Sequence, residues 1–168
     1  MTINIYKFAV FLLPLLLIAC ENAPPAEVPV AQTLTRDANG YYCLMTVVNH
    51  SGPKGQIILD DGKVLWFTSV RDTISFTLSP EEPKNISAIY VNDMADANWE
   101  KPGLDNWIDA YTAWYVLGSE KAGGMGVPEA VPFSTKVKAA SFVKKYGGTI
   151  HEFDTIPKEY MVINKPLN

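Results

Sequence analysis

The stretch Gln56-Ile57-Ile58-Leu59-Asp60-Asp61-Gly62-Lys63-Val64-Leu65-Trp66-Phe67-Thr68-Ser69-Val70-Arg71-Asp72 decides the fold class. Two runs of β-forming residues flank Asp60-Asp61-Gly62, so 56–67 predicts a hairpin with a short loop. Ser69 then stands where a helix N-cap belongs, with Asp72 three residues later in the capping-box position. Val70, Ile74 and Leu78 follow at intervals of four and line one helical face. Pro80 ends that helix.

Outward from this core the pattern continues. Residues 86–91 predict a strand, and 107–117 hold one or two more. Val131-Pro132-Phe133 is a short strand, followed by a helix from Ser134 or Thr135 with Ala139, Phe142, Val143 and Tyr146 on its apolar face. Gly147 suits its C-terminal cap, and Lys144 and Lys145 suit the negative end of its dipole. A last strand covers 149–153. Phe67-Thr68-Ser69 and Phe133-Ser134-Thr135 thus each lead into a helix and then a strand. The expectation is an α+β protein of two successive ββαβ lobes, 41–98 and 99–168. Pro83, Pro102 and Gly103 fall where one gives way to the other.

The N-terminal residues set the compartment. Lys7 precedes an apolar run over 8–18, too short to span a bilayer, which takes roughly 20 apolar residues, but suited to a signal peptide. The run ends in Leu17-Ile18-Ala19-Cys20, which resembles the bacterial lipobox. Residues 1–19 then form a lipoprotein signal peptide, and Cys20 is the lipid attachment point to the bilayer. Each buried acyl methylene contributes roughly 0.8 kcal/mol, so several chains on one cysteine anchor durably. Glu21, in place of aspartate, favours sorting from the periplasmic face to the outer membrane. Residues 20–40 carry Pro24, Pro25 and Pro29 without an apolar period and read as the lipidated cysteine and a flexible, Pro-rich tether; an arm docked on the domain is the alternative. The net charge of −4 and the lack of a basic stripe exclude a nucleic-acid partner.

The thiols carry the chemistry. With Cys20 consumed by lipid, Cys43 has no partner in its own chain. An unpaired thiol in an exported protein is open to oxidation, and one bland reading is a buried cysteine that packs like a small apolar residue. Met45 stands two residues on, within the β-forming segment 41–48. On a strand, thiolate and thioether would share a face, and two soft sulfurs select Cu(I) over harder ions. A structural zinc site needs four nitrogen or sulfur ligands, more than one free cysteine and two histidines supply. A third copper ligand must come from elsewhere. Candidates are His50, just before the turn Ser51-Gly52-Pro53-Lys54-Gly55, and Met125, set among Gly123, Gly124 and Gly126. Met94, Met161 and His151 read as structural. Nothing marks Asp93, Asp109 or Glu129 as a general acid or base.

Taken in order, Cys43-Leu44-Met45, His50 to Gln56, Trp66 to Asp72, Ile89 to Met94, Trp107 to Ala110 and Gly124 to Phe133 resemble the NosL family, the lipoprotein accessory proteins of nitrous oxide reductase. The resemblance spans about residues 42–160. It implies that Cys43 and Met45 are the Cu(I) ligands of a Cys-x-Met motif, with Met125 joining them and His50 a less certain ligand. It also implies a cleft between the two lobes, as in part of the organomercurial lyase fold, and delivery of copper to a membrane ABC-type assembly complex serving the copper–sulfide site of nitrous oxide reductase. Two departures stand out: Leu44 where the family usually has glycine, and Ser51 where proline commonly follows the histidine. Neither removes a donor atom. The expected protein is a metallochaperone and not an enzyme, since organomercurial-type chemistry uses a second thiol that this chain lacks. A metal-free envelope scaffold is the alternative.

Overall fold

In the computed structural model, which describes residues 27–161, the hairpin forms where its residues dictate. Strand β1 (Gly55–Leu59) pairs antiparallel with β2 (Val64–Phe67), Ile57 lying opposite Leu65 and Gln56 opposite Trp66. Helix α1 (Val70–Leu78) follows, and Ser69 Oγ accepts from the Asp72 amide at 3.0 Å. Val70 and Ile74 are buried and Leu78 is exposed at the open end of the predicted face. The helix closes tightly on the sheet because position 55 has no side chain. A Cβ there would lie 2.0 Å from Thr73 Oγ1.

Strand β3 (Ile86–Asn92) pairs with the other edge of β1, and β4 (Trp107–Asp109) pairs with β3. The first sheet therefore runs β2-β1-β3-β4. Strands β5 (Trp114–Leu117), β6 (Val131–Phe133) and β7 (Thr149–Glu152), with α2 (Lys136–Tyr146) before β7, build the second. Its order is β6-β5-β7. In both units the first strand is central, flanked by the second and by the strand after the helix. The two ββαβ units expected from the repeat are present, and both helices carry their expected caps: Thr135 Oγ1 accepts from the Lys138 amide, and Gly147 closes α2 at φ 69°. Strand β4, although it follows Pro102 and Gly103, extends the first sheet.

The units do not stand apart. One buried cluster runs from Ile57, Phe67 and Phe76 to Tyr115 and Leu117 of β5 and on to Met161 in the short helix α3 (Lys158–Met161). At this level the units share a core, in which Tyr115, fully buried, donates its hydroxyl to Ala110 O. A separate cluster of Val131, Phe133 and Ala139 sits beneath α2.

Two expectations near the N-terminus are corrected. Cys20 and the signal segment lie outside the described residues, but from Pro29 the supposed tether is docked. Tyr90 donates to Pro29 O, Gln32 exchanges two hydrogen bonds with the Gln56 side chain, and Leu34 N donates to Leu104 O. Leu34 and Ala38 are buried beside Val47. The prolines suggested a solvated chain, whereas Leu34 and Ala38 supply enough apolar surface to hold it down. The strand expected over 41–48 is also not formed. Residues 41–43 are a turn, and a 3-10 turn spans Val47–Asn49. Local β-propensity yields here to tertiary contacts.

Candidate metal centre

The Cys43-Leu44-Met45 segment is the tip of a tight loop. Its base is an isolated bridge between Asn39 and Thr46. Inside it, Gly40 N donates to Met45 O at 2.9 Å, and Leu44 N donates to Gly40 O at 2.8 Å. Tyr41 N then ties the loop to Trp66 O on β2 at 2.7 Å. Leu44 has φ 58°, the left-handed region in which a side chain costs roughly 1–2 kcal/mol. That conformation explains why glycine suits this place between the cysteine and the methionine. The two sulfurs are therefore displayed from a turn and not from one face of a strand.

Gly40 makes room for the thiol. A Cβ at position 40 would stand 2.7 Å from Cys43 Sγ. The half-buried sulfur lies 3.7 Å from Thr68 Oγ1, and Thr68 immediately precedes the N-cap of α1. Met45 is 42% exposed and Met125 is 46% exposed. Single exposed apolar side chains are common; what these two add is a thioether within reach of solvent. Met94 and Met161, read as structural, are buried at 7% and 3% exposure.

His50 joins the two parts. Its Nδ1 lies 3.1 Å from Thr46 O. A carbonyl oxygen cannot donate, so this bond needs the proton on Nδ1 and leaves Nε2 with a free lone pair. A metal-binding histidine is commonly oriented in this way. The glycine loop comes to meet it: a Cβ on Gly124 would lie 2.7 Å from His50 Cβ and 2.8 Å from Ser51 O. Only a glycine lets the segment carrying Met125 pack so closely against His50-Ser51. Gly123 N to Val127 O and Gly126 N to Gly123 O hold that loop's own turn. His151, by contrast, has both ring nitrogens engaged, with Thr149 Oγ1 and Thr155 O.

Glu129 is the residue that sequence reasoning passed over. Its carboxyl is fully buried; Oε1 accepts from Arg71 N and Ala130 N, both at 2.9 Å. Among the described residues Oε2 has no hydrogen-bond partner; it points toward Gly123, whose added Cβ would lie 2.8 Å away. Burial raises this carboxyl to about 8, against the opposing pull of the two amides and Lys54. Arg71 N belongs to the first turn of α1, the helix whose start also faces Cys43. Both sulfur-bearing loops therefore lean on one helix end. The available signal was an acid set in the apolar run Val127-Pro128-Glu129-Ala130-Val131, where a buried carboxyl needs hydrogen-bond donors.

Among the described residues no three His, Cys, Asp or Glu side chains gather as a metal site; the structure brings the backbone at Gly124, next to Met125, against His50-Ser51 and displays Cys43 and Met45 from one turn. Thiol, thioether and imidazole are donors that suit a soft metal ion.

The comparisons with known proteins converge. A family model described as NosL matches residues 29–161. The chain is 47% identical over 138 residues to the copper-binding lipoprotein NosL of Achromobacter cycloclastes, covering 80% of this chain and 71% of that one. It is 34% identical over 116 residues to the copper-binding lipoprotein NosL of Stutzerimonas stutzeri, covering 69% and 60%. The crystal structure of the copper chaperone NosL from Shewanella denitrificans superposes with a TM-score of 0.72 at 36% identity, over 77% of this chain and 97% of that chain. The solution structure of the apo-NosL protein from Achromobacter cycloclastes gives 0.50 at 42% identity, over 68% and 94%. With its paired ββαβ units, its Cys43-x-Met45 turn and a family match over most of its length, this chain belongs to the NosL family.

Proposed function

We propose that the protein is a lipid-anchored periplasmic carrier of Cu(I), with copper as its cargo and no chemical bond made or broken in a substrate. Cys43 and Met45 hold the ion, Met125 completes the sulfur set and His50 Nε2 is the lesser candidate. The observation that carries this reading is the Cys43-Leu44-Met45 turn, which keeps a half-buried thiol beside a solvent-exposed thioether. Names borne by similar proteins, copper-binding lipoprotein and copper chaperone, agree with it. An incomplete, exposed ligand set favours hand-over, because an acceptor can add a ligand before the donor lets go.

The destination we infer is a membrane ABC-type assembly complex and, through it, the copper–sulfide site of nitrous oxide reductase. The anchor is Cys20, and the outer membrane is its place. Competition against a Cu(I) chelator tests the cargo: Cys43→Ser should lose at least tenfold in affinity, on the scale of about 1.4 kcal/mol per decade. Equal affinity of variant and wild type would sink the proposal. For delivery, cells carrying Cys43→Ala should accumulate nitrous oxide reductase lacking its copper–sulfide site. Normal maturation in those cells would instead favour a metal-free scaffold.

A further inference from the structure

A second site is suggested by charge. The chain is acidic, with a net charge of −4, yet a cavity of about 430 Å³ has Arg36, His50, Lys54 and Lys101 in its described lining and no carboxylate. It opens between the docked arm, the residues around the Val47–Asn49 turn and the loop at 101–104. Leu34, Val48 and Leu104 supply its apolar walls. Cavities of roughly 300–1,000 Å³ suit small molecules.

Lys54 is the deepest of these groups, only 2% exposed. Its ammonium donates to Ser51 O and Gly52 O, which uses two of its three donors. Among the described residues no carboxylate lies within 4.0 Å of it; Glu129 and Glu100 act on it only from farther away. A buried cation without a partner is costly. The clamp on the Ser51-Gly52 turn accounts for two donors. It does not account for an exposed guanidinium and a second ammonium meeting at the same cavity mouth.

We propose that this cavity binds a small multivalent oxyanion, a phosphate or a di- or tricarboxylate, on Lys54 with Arg36 and Lys101 closing over it. The guanidinium fork matches carboxylate and phosphate oxygens in bidentate fashion. The apolar walls lower the local dielectric and strengthen each charge interaction. The His50 ring forms one wall. The cations that carry the site, Arg36, Lys54 and Lys101, are not among the candidate copper ligands, although the cavity shares His50 with them.

The test is calorimetric titration of the full chain, without copper, with inorganic phosphate and separately with citrate at low ionic strength. Saturable binding of at least one anion is expected. Arg36→Gln and Lys101→Gln should each weaken it by about tenfold, the scale of one charge-assisted hydrogen bond. Lys54→Met should abolish it, and the two exposed rim variants keep the test decisive if that change unfolds the chain. Lys144→Gln, which removes an exposed charge outside the cavity, should leave binding unchanged. No saturable binding of either anion, or equal weakening by Lys144→Gln and the rim variants, overturns the proposal.

Discussion

The loops that present Cys43 and Met125 are built on opposite plans. The first is fastened from within: the Asn39–Thr46 bridge, two hydrogen bonds across Gly40 and the Tyr41 link to β2 fix it before anything else arrives. It carries its strain internally, at Leu44. The second is fastened from beneath, by the Glu129 carboxyl reaching the first turn of α1, and it packs through the bare backbone of Gly124 against His50-Ser51, just beyond the first loop. One loop is held by its own backbone; the other is held to the fold by a buried acid.

That contrast can be broken at its strongest point by Glu129→Gln. The folded-state carboxyl, at about 8, exceeds the ordinary 4.5, so the folded protein holds this proton more tightly than the unfolded chain. The stability it contributes is full below 4.5 and is lost as pH rises through 8. Lys54, lowered from 10.5 to about 8 by burial, acts in the window above; Asp72, raised from 3.8 by burial, acts in the same direction as Glu129 at lower pH. Denaturant unfolding of Glu129→Gln should show a much smaller pH slope across 4.5–8 than wild type, and above it the variant should be more stable by on the order of a few kcal/mol. A wild-type profile just as flat would contradict the buried acid.

Gly124→Ala attacks the meeting point itself. The new methyl must displace Ser51 O or move the Met125 loop, at about 1–3 kcal/mol, and Cu(I) affinity should fall while Cys43 keeps its own turn. Unchanged affinity would mean that Met125 acts independently of that contact. Met125→Leu should weaken Cu(I) binding by about tenfold, or about 1.4 kcal/mol, and His50→Gln by less. A copper X-ray absorption spectrum dominated by nitrogen scatterers would reverse that order. The smallest effect belongs to Leu44→Gly. Relief of the left-handed conformation is partly offset by the entropy glycine adds to the unfolded chain, for a net gain of about 0.5 kcal/mol. Destabilisation would show that the exposed Leu44 side chain makes contacts of its own.

What could be read in advance was local. The hairpin, both N-caps and the order of strands and helices follow from turn residues and apolar spacing within a dozen positions. The Cys43 turn was misread because Tyr41, Tyr42, Thr46, Val47 and Val48 favour a strand, while Gly40 and the link from Tyr41 to Trp66 O decide otherwise. The docked arm escaped because its partners, Gln56, Tyr90 and Leu104, are distant in the chain. The candidate donors Cys43, Met45, His50 and Met125 were named from residue chemistry and resemblance. That the Cys43 thiol and the Glu129 segment both lean on the start of α1 needed the fold.

The docked arm also shortens the leash. If lipid is carried at Cys20, only the nine or so residues before Pro29 separate the anchor from the folded body, a reach of about 30 Å even when fully drawn out. The carrier would then patrol a shallow layer above its own patch of bilayer. Its encounters would be set by how densely partners populate that surface, and hardly at all by their concentration in the surrounding fluid.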